Sequence, residues 1–117
     1  MKYLGRAVIA WDGNTLDTLP GATIDHGGVT NKVVKGSHTI GSCEEFEPGI
    51  VECEINISAD TTEEDIKSIY NATVTFRGDI GKTWMIRNAF YTGSMKMTAG
   101  EGGKCKVVLT GDPAEAA

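Results

Sequence analysis

The chain has little of what enzymes, metalloproteins and nucleic-acid readers are made from. It holds two histidines and three cysteines. His26 and His38 are twelve positions apart in turn-like sequence, and neither has a cysteine or carboxylate at a metal-ligand spacing, so loop histidines are expected rather than a zinc site. Cys43, Cys53 and Cys105 are odd in number and lack C-x-x-C spacing, which excludes a self-contained disulfide framework and predicts reduced, buried thiols. Neither Cys43 nor Cys53 stands beside a basic residue or histidine that would lower its pKa, and no G-x-S-x-G elbow is present, so nucleophilic catalysis is not supported. Gly100-Glu101-Gly102-Gly103-Lys104 resembles a phosphate loop only superficially. Thr98 stands where its first glycine belongs, and Cys105 replaces the serine or threonine.

Positive charge is also scarce, with 11 Lys and Arg against 16 Asp and Glu and a net charge of −5. Phosphate binding needs clustered cations, so specific DNA reading and adhesion to an anionic membrane are both disfavoured. No apolar run approaches the ~20 residues of a membrane span, and Met1-Lys2-Tyr3-Leu4-Gly5-Arg6 lacks a signal-like apolar core. A soluble, unexported product is expected. Asn56-Ile57-Ser58 and Asn71-Ala72-Thr73 match the glycosylation sequon, but without a secretion signal both read as structural.

What is abundant is glycine, at fifteen residues, scattered singly and in pairs, while 40% of the chain is apolar. That combination predicts a folded, turn-rich β domain spanning residues 1–117. Gly5–Trp11 reads as a strand turning at Asp12-Gly13-Asn14 into a short return strand, Thr15–Leu19. Pro20-Gly21 breaks the chain before a short strand over Ala22–Asp25. From Val29 to Phe46 the sequence is polar and β-branched in patches with no clean alternation, predicting a long exposed hairpin or arm over 29–48.

Ile50–Ser58 alternates cleanly, with Val51, Cys53, Ile55 and Ile57 against Glu52, Glu54, Asn56 and Ser58. Thr61 as N-cap, with Glu64 three residues on, predicts a short helix. Its apolar stripe would be Ile66, Ile69 and Tyr70, and Asn71 would end it. The acids Asp60, Glu63, Glu64 and Asp65 fit helix-start electrostatics better than a calcium loop, which needs alternating ligands around a central glycine. Ala72–Arg77 and Lys82–Tyr91 predict a second hairpin through Gly78-Asp79-Ile80-Gly81. Trp84, Ile86 and Phe90 would share one face, with Thr83, Met85, Arg87 and Tyr91 on the other. Thr92–Gly103 reads as a mobile loop, Lys104–Thr110 as the last strand, and 112–117 as a flexible, frayed tail.

Two groups stand out. Glu44, Glu45, Glu52 and Glu54, with Glu47, concentrate negative charge on extended chain, either as a solvated face or as a surface that repels a passing polyanion. Trp11 and Trp84 read as core or interface anchors together with Ile86 and Phe90, since stacking platforms for bases usually come with basic residues.

GRAVIAWDG, LPGATI, KVVKGS, VECEINI, ATVTF and GKTWMIRNAF, in that order, resemble the tail tube proteins of contractile-tailed, Mu-like bacteriophages. The resemblance covers about Gly5 to Gly111. It implies a mainly β fold, two packed antiparallel sheets forming a sandwich or barrel with one short flanking helix and a long extended arm. It also implies a structural subunit without cofactors that forms stacked homohexameric rings around a lumen through which genomic DNA is ejected. The expected place is the virion tail, assembled in the host cytoplasm. The expected partners are the subunit itself, the sheath, the tape measure protein and baseplate or tail terminator proteins, with double-stranded DNA passing unbound and no membrane. On this reading Val29, Val33, Val34, Lys35, His38, Ile40 and Phe46 belong to the inter-ring arm, and Glu52 and Glu54, with Glu44 and Glu45, line the lumen. The alternatives are the tube of a contractile secretion system or tailocin, and a small ligand- or oligonucleotide-binding barrel using Trp11, Trp84 and Tyr91.

Overall fold

The computed structural model describes residues 1–117 except 3, 17, 20, 58–62, 101 and 102. The opening hairpin pairs β1 (Ala7–Trp11) with β2 (Asn14–Leu16) in the register Ile9↔Leu16 and Trp11↔Asn14. Asp12 and Gly13 join them with φ of +43° and +80°, the left-handed pair that a two-residue hairpin turn requires.

Four more strands carry the body: β3 (Thr23–Asp25), β6 (Gly49–Asn56), β7 (Ala72–Gly78) and β9 (Lys104–Gly111). The central strand is β8 (Thr83–Thr92), and the hydrogen-bonded order is β2-β1-β7-β8-β9-β6-β3, every pairing antiparallel. The path folds over on itself at β8, giving two packed layers. Ile9, Val74, Phe76 and Ile86 come from the first layer and Val51, Cys53, Ile55, Cys105, Val107 and Leu109 from the second, and all are buried between them. Alternation in β6, β7 and β9 produces this directly, since every second side chain faces inward. Across the open seam, Thr18 bridges Ile55 and the Leu19 N–H donates to the Glu54 carbonyl at 2.8 Å, so the sandwich is nearly a closed barrel.

The fold bends at one inserted residue. Val74 pairs with Ile86 but Ala72 pairs with Ala89, so β8 carries an extra residue there; Asn88 takes φ +53° and its side-chain amide donates to Asp112 at 2.8 Å. A bulge reverses the facing of everything beyond it. Phe90 is therefore 40% exposed, opposite Thr110, while Tyr91 packs against the core. This corrects the sequence-based grouping of Phe90 with Trp84 and Ile86, and Phe90 is not a core anchor. Gly111 closes the corner, because a Cβ there would lie 2.7 Å from the Arg87 carbonyl oxygen.

The tail is also corrected. It forms β10 (Glu115–Ala116), pairing with Met85 and Trp84, and the Ala114 and Ala117 N–H groups donate to the carbonyls of His26 and Thr83. Glu115↔Met85 continues the register of Thr110↔Phe90, so the tail occupies the edge of β8 that β9 vacates. The helix is α1 (Glu63–Lys67), and its expected Thr61 cap lies outside the described residues. Ile66 and Ile69 are buried, but Tyr70 is exposed because the helix stops at Lys67 before a third apolar position aligns. Asn71, at φ +51°, then turns the chain into β7.

Candidate assembly surfaces

The remaining strands, β4 (Gly28–Lys35) and β5 (Ile40–Glu47), form a two-stranded ribbon of their own. Eight residues at about 3.3 Å each carry it roughly 26 Å, consistent with a longest molecular dimension of 60 Å. Its register joins it to the body: Thr23↔Glu52 and Asp25↔Ile50 continue without slippage as Gly28↔Glu47 and Lys35↔Ile40. β3-β4 and β5-β6 are thus one long hairpin, interrupted at His26-Gly27 and Pro48.

The interruption has a chemical basis. Pro48 offers no N–H to the ladder. Gly27, at φ +67°, approaches so closely that a Cβ would lie 2.3 Å from the Pro48 carbonyl oxygen. Its N–H donates to Asp25 Oδ1 at 3.1 Å, and His26 packs against Trp84 in a tilted contact with ring centroids 5.5 Å apart. The ribbon therefore leaves the body at a fixed root rather than through a slack linker.

The two ribbon faces differ in kind. Directly opposed residues share a face, so Val29 with Phe46, Asn31 with Glu44, Val33 with Ser42 and Lys35 with Ile40 form one, and Thr30, Lys32, Val34, Cys43, Glu45 and Glu47 belong to the other. Val29, Phe46, Val33 and Ile40 are 63–78% exposed, two apolar groups on either side of the Asn31–Glu44 pair. The other face is polar, with Lys32 Nζ 3.2 Å from Glu45 Oε1. The expected arm residues Val29, Val33, Val34, Lys35, Ile40 and Phe46 all lie on this ribbon, and His38 lies in its tip between the strands.

The four singled-out acids do not gather. Glu52 and Glu54 lie on the outward side of β6, where Glu54 faces Lys106, Asn56 faces Lys104, and Lys106 Nζ sits 3.5 Å from Glu52 Oε2. Glu44 and Glu45 leave with the ribbon and project from opposite faces of it. The sequence missed the two lysines because only the β6–β9 register brings them beside the glutamates.

Trp11 and Ile86 are buried; Trp84 is half-buried between Phe76, at 6.1 Å, and His26. Burial, with Cys105 adding to it, pushes the Cys53 thiol up to about 12, so it is a neutral filler and not a nucleophile. Cys43 is exposed on the ribbon, contrary to the expectation of three buried thiols. Among the described residues no group of three or more His, Cys, Asp or Glu could hold a metal ion, and no helix is long and apolar enough to cross a membrane.

A cavity of about 330 Å³ opens at the seam between β1, β2 and the segment leading to β3. Leu4, Ala7, Leu16, Leu19 and Phe76 line it, with Arg6 the one charged residue among its described walls.

Residues 1–116 match the sequence model of the phage tail tube protein family. The chain belongs to that family. The tail tube protein of Escherichia phage Mu is 33% identical over 97 residues, covering 83% of this chain and 82% of the relative. The tail tube protein of the Mu-like prophage FluMu of Haemophilus influenzae is 32% identical over 89 residues, 76% of this chain and 75% of that one. The fold is shared with more distant solved structures. The tube-terminating cap of an anti-feeding prophage superposes with a TM-score of 0.69 at 13% identity, over 96% of this chain and 87% of that one. A sheath–tube complex of an extracellular contractile injection system gives 0.65 at 16%, over 96% and 88%. A tail tube protein is a structural element of a contractile phage tail, not an enzyme, and the absence of a catalytic constellation from the sequence has that cause.

Proposed function

We propose that this tail tube protein assembles as stacked hexameric rings, and that phage genomic DNA leaves through the resulting hollow tube. The observation that carries the reading is the ribbon. A lone soluble subunit rarely projects large apolar side chains as exposed as Val29, Val33, Ile40 and Phe46 on one face of an arm, and such a surface marks a protein contact. The two outer strand edges of the ribbon, free in the subunit, are a further invitation to pairing. A contact made by a projecting arm on a different surface of its neighbour is head-to-tail, and repeated it builds an open filament.

The outward face of β6 and β9 is proposed to face the lumen. Glu52, Glu54 and Asp25 outnumber Lys104 and Lys106 there, and nothing on that face clusters cations as phosphate binding requires. Glu44 and Glu45 travel with the ribbon and line the lumen only if the ribbon does. The sheath, tape measure, baseplate and terminator proteins are the further proposed partners, with assembly in the host cytoplasm. A secretion or tailocin tube is the second reading, supported by the fold shared with a contractile injection system. The 32–33% identity to Mu-type relatives favours the phage tail.

Negative-stain microscopy of the purified protein tests the assembly, with rings or tubes expected. Removing the ribbon from Val29 to Phe46 is expected to leave a folded subunit that no longer polymerises. Tubes of normal length from that deletion would show that the ribbon is dispensable. In an assembled tube, Glu52 and Glu54 on the outer wall would overturn the lumen assignment.

A further inference from the structure

The apolar ribbon face and the seam cavity are complementary in character. Along the outer half of the ribbon, Val33 and Ile40 are diagonal neighbours on one face, since Val33 opposes Ser42 and Lys35 opposes Ile40. Their side chains stand at 63% and 78% exposure, and two aliphatic groups at that spacing suit a cavity of about 330 Å³. On the same face, one position inward, stands Glu44, which has no cation within ion-pair distance among the described residues. At the cavity Arg6 is the one charged wall residue among the described residues, likewise outside every described ion pair. An aliphatic pair flanked by one carboxylate thus meets a cavity of mixed polar and apolar walls in which leucines stand near a guanidinium.

We propose that the seam cavity is the receptor for the ribbon of a second copy of this chain, with Val33 and Ile40 seated against Leu4, Leu16 and Leu19 and Glu44 paired with Arg6. This rests on the reading of the protein as a self-assembling tube subunit, and names the surface that receives the arm. Burying the aliphatic pair supplies the affinity, while the charge pair fixes register and rejects the reversed approach. The contact is heterologous, because the ribbon and the cavity are different surfaces of one chain. Each subunit therefore keeps one free ribbon and one free cavity, as an extending stack requires.

The test uses the full-length chain and measures the critical concentration for tube formation by sedimentation and microscopy. I40S and V33S are each expected to raise it about tenfold, as loss of a buried interface anchor does. E44R and R6E are each expected to raise it, and the E44R/R6E double variant to restore assembly towards the parent, which a folding defect would not do. In a C43S background, E44C/R6C is expected to give an inter-subunit disulfide ladder under mild oxidation, present in tubes and absent from dilute subunits. If the parent protein forms neither rings nor tubes, the tube reading itself falls and takes the receptor with it. If the parent forms tubes while I40S assembles normally and E44C/R6C gives no ladder, the tube reading stands and the seam receptor is overturned.

Discussion

His26 packs tilted against Trp84 at 5.5 Å where the ribbon leaves the body, and Trp84 in turn packs on Phe76 at 6.1 Å, so the root of the projecting element is coupled to the core through one indole. The backbone of Trp84 is held as well, opposite Ala116 of β10 and Phe76 of β7. Trp84→Ala removes a half-buried aromatic with contacts on two sides and is expected to cost about 3 kcal/mol. Urea unfolding of the unassembled subunit measures it. A loss below about 0.5 kcal/mol would mean that the indole anchors nothing.

Gly27 gives a sharper probe of the same root. Gly27→Ala places a Cβ against the Pro48 carbonyl at a φ of +67°, so backbone strain and a clash add. Gly13→Ala meets the strain alone, since nothing lies within 4 Å of a Cβ there. Gly13→Ala is expected to cost about 1 kcal/mol and Gly27→Ala at least about 2 kcal/mol. Equal costs by thermal denaturation would remove the close approach of the two ribbon roots as the cause.

Much of this fold was legible because alternation is a local signal. Val51, Cys53 and Ile55 declare the inner face of β6 unaided, and Asp12-Gly13 declares its turn. The unreadable parts depend on partners distant in sequence. Nothing near Phe90 announces that Asn88 adopts φ +53° and reverses the faces beyond it; the bulge exists because Gly111 and Asp112 close the corner from the other side. The ordered tail depends on the edge of β8 left open beyond β9. The placing of Lys106 beside Glu52 and Glu54, with Lys104 opposite Asn56, needs the β6–β9 register, which no single strand encodes. Exposure of the arm was legible for the opposite reason, since it showed as a missing alternation.

Thiol reactivity separates the three cysteines. The Cys53 thiol is pushed up to about 12, chiefly by burial, and Cys105 is buried beside it, whereas Cys43 is exposed on the ribbon. Only the thiolate attacks a disulfide reagent. Native unassembled subunit at pH 8 is expected to react rapidly at one thiol per chain, and at three in denaturant. The C43S variant is expected to lose the rapid reaction. Rapid labelling at two sites would contradict the buried inner face of β6 and β9.

Asp79 supplies a prediction in pH. The Gly5 N–H donates to its Oδ1 at 3.1 Å, and this bond, with smaller help from the Arg6 backbone and Lys2, holds the exposed carboxyl below its ordinary value. A depressed folded pKa means that the carboxylate favours the folded state. That contribution is complete above the ordinary carboxylate range and is lost as pH falls through the lowered folded value. The Asp79 side-chain resonance is expected to titrate with a midpoint below that of a free aspartate, and the Gly5 amide to shift with the same midpoint. Asp79→Ala is expected to abolish the Gly5 transition and to loosen the chain at Gly5 only in part, since Lys2 Nζ donates to the Asp79 backbone carbonyl at 3.2 Å and the Asp79 N–H to the Arg6 carbonyl at 3.0 Å, bonds that an alanine retains. A Gly5 amide that shows no acid transition in the parent would mean that the carboxylate does not hold the N-terminal segment. Leu4, Arg6 and Ala7 all line the seam cavity, so loosening the chain at Gly5 would also blur that wall. Slower tube growth in Asp79→Ala, with the body still folded, is the expected consequence.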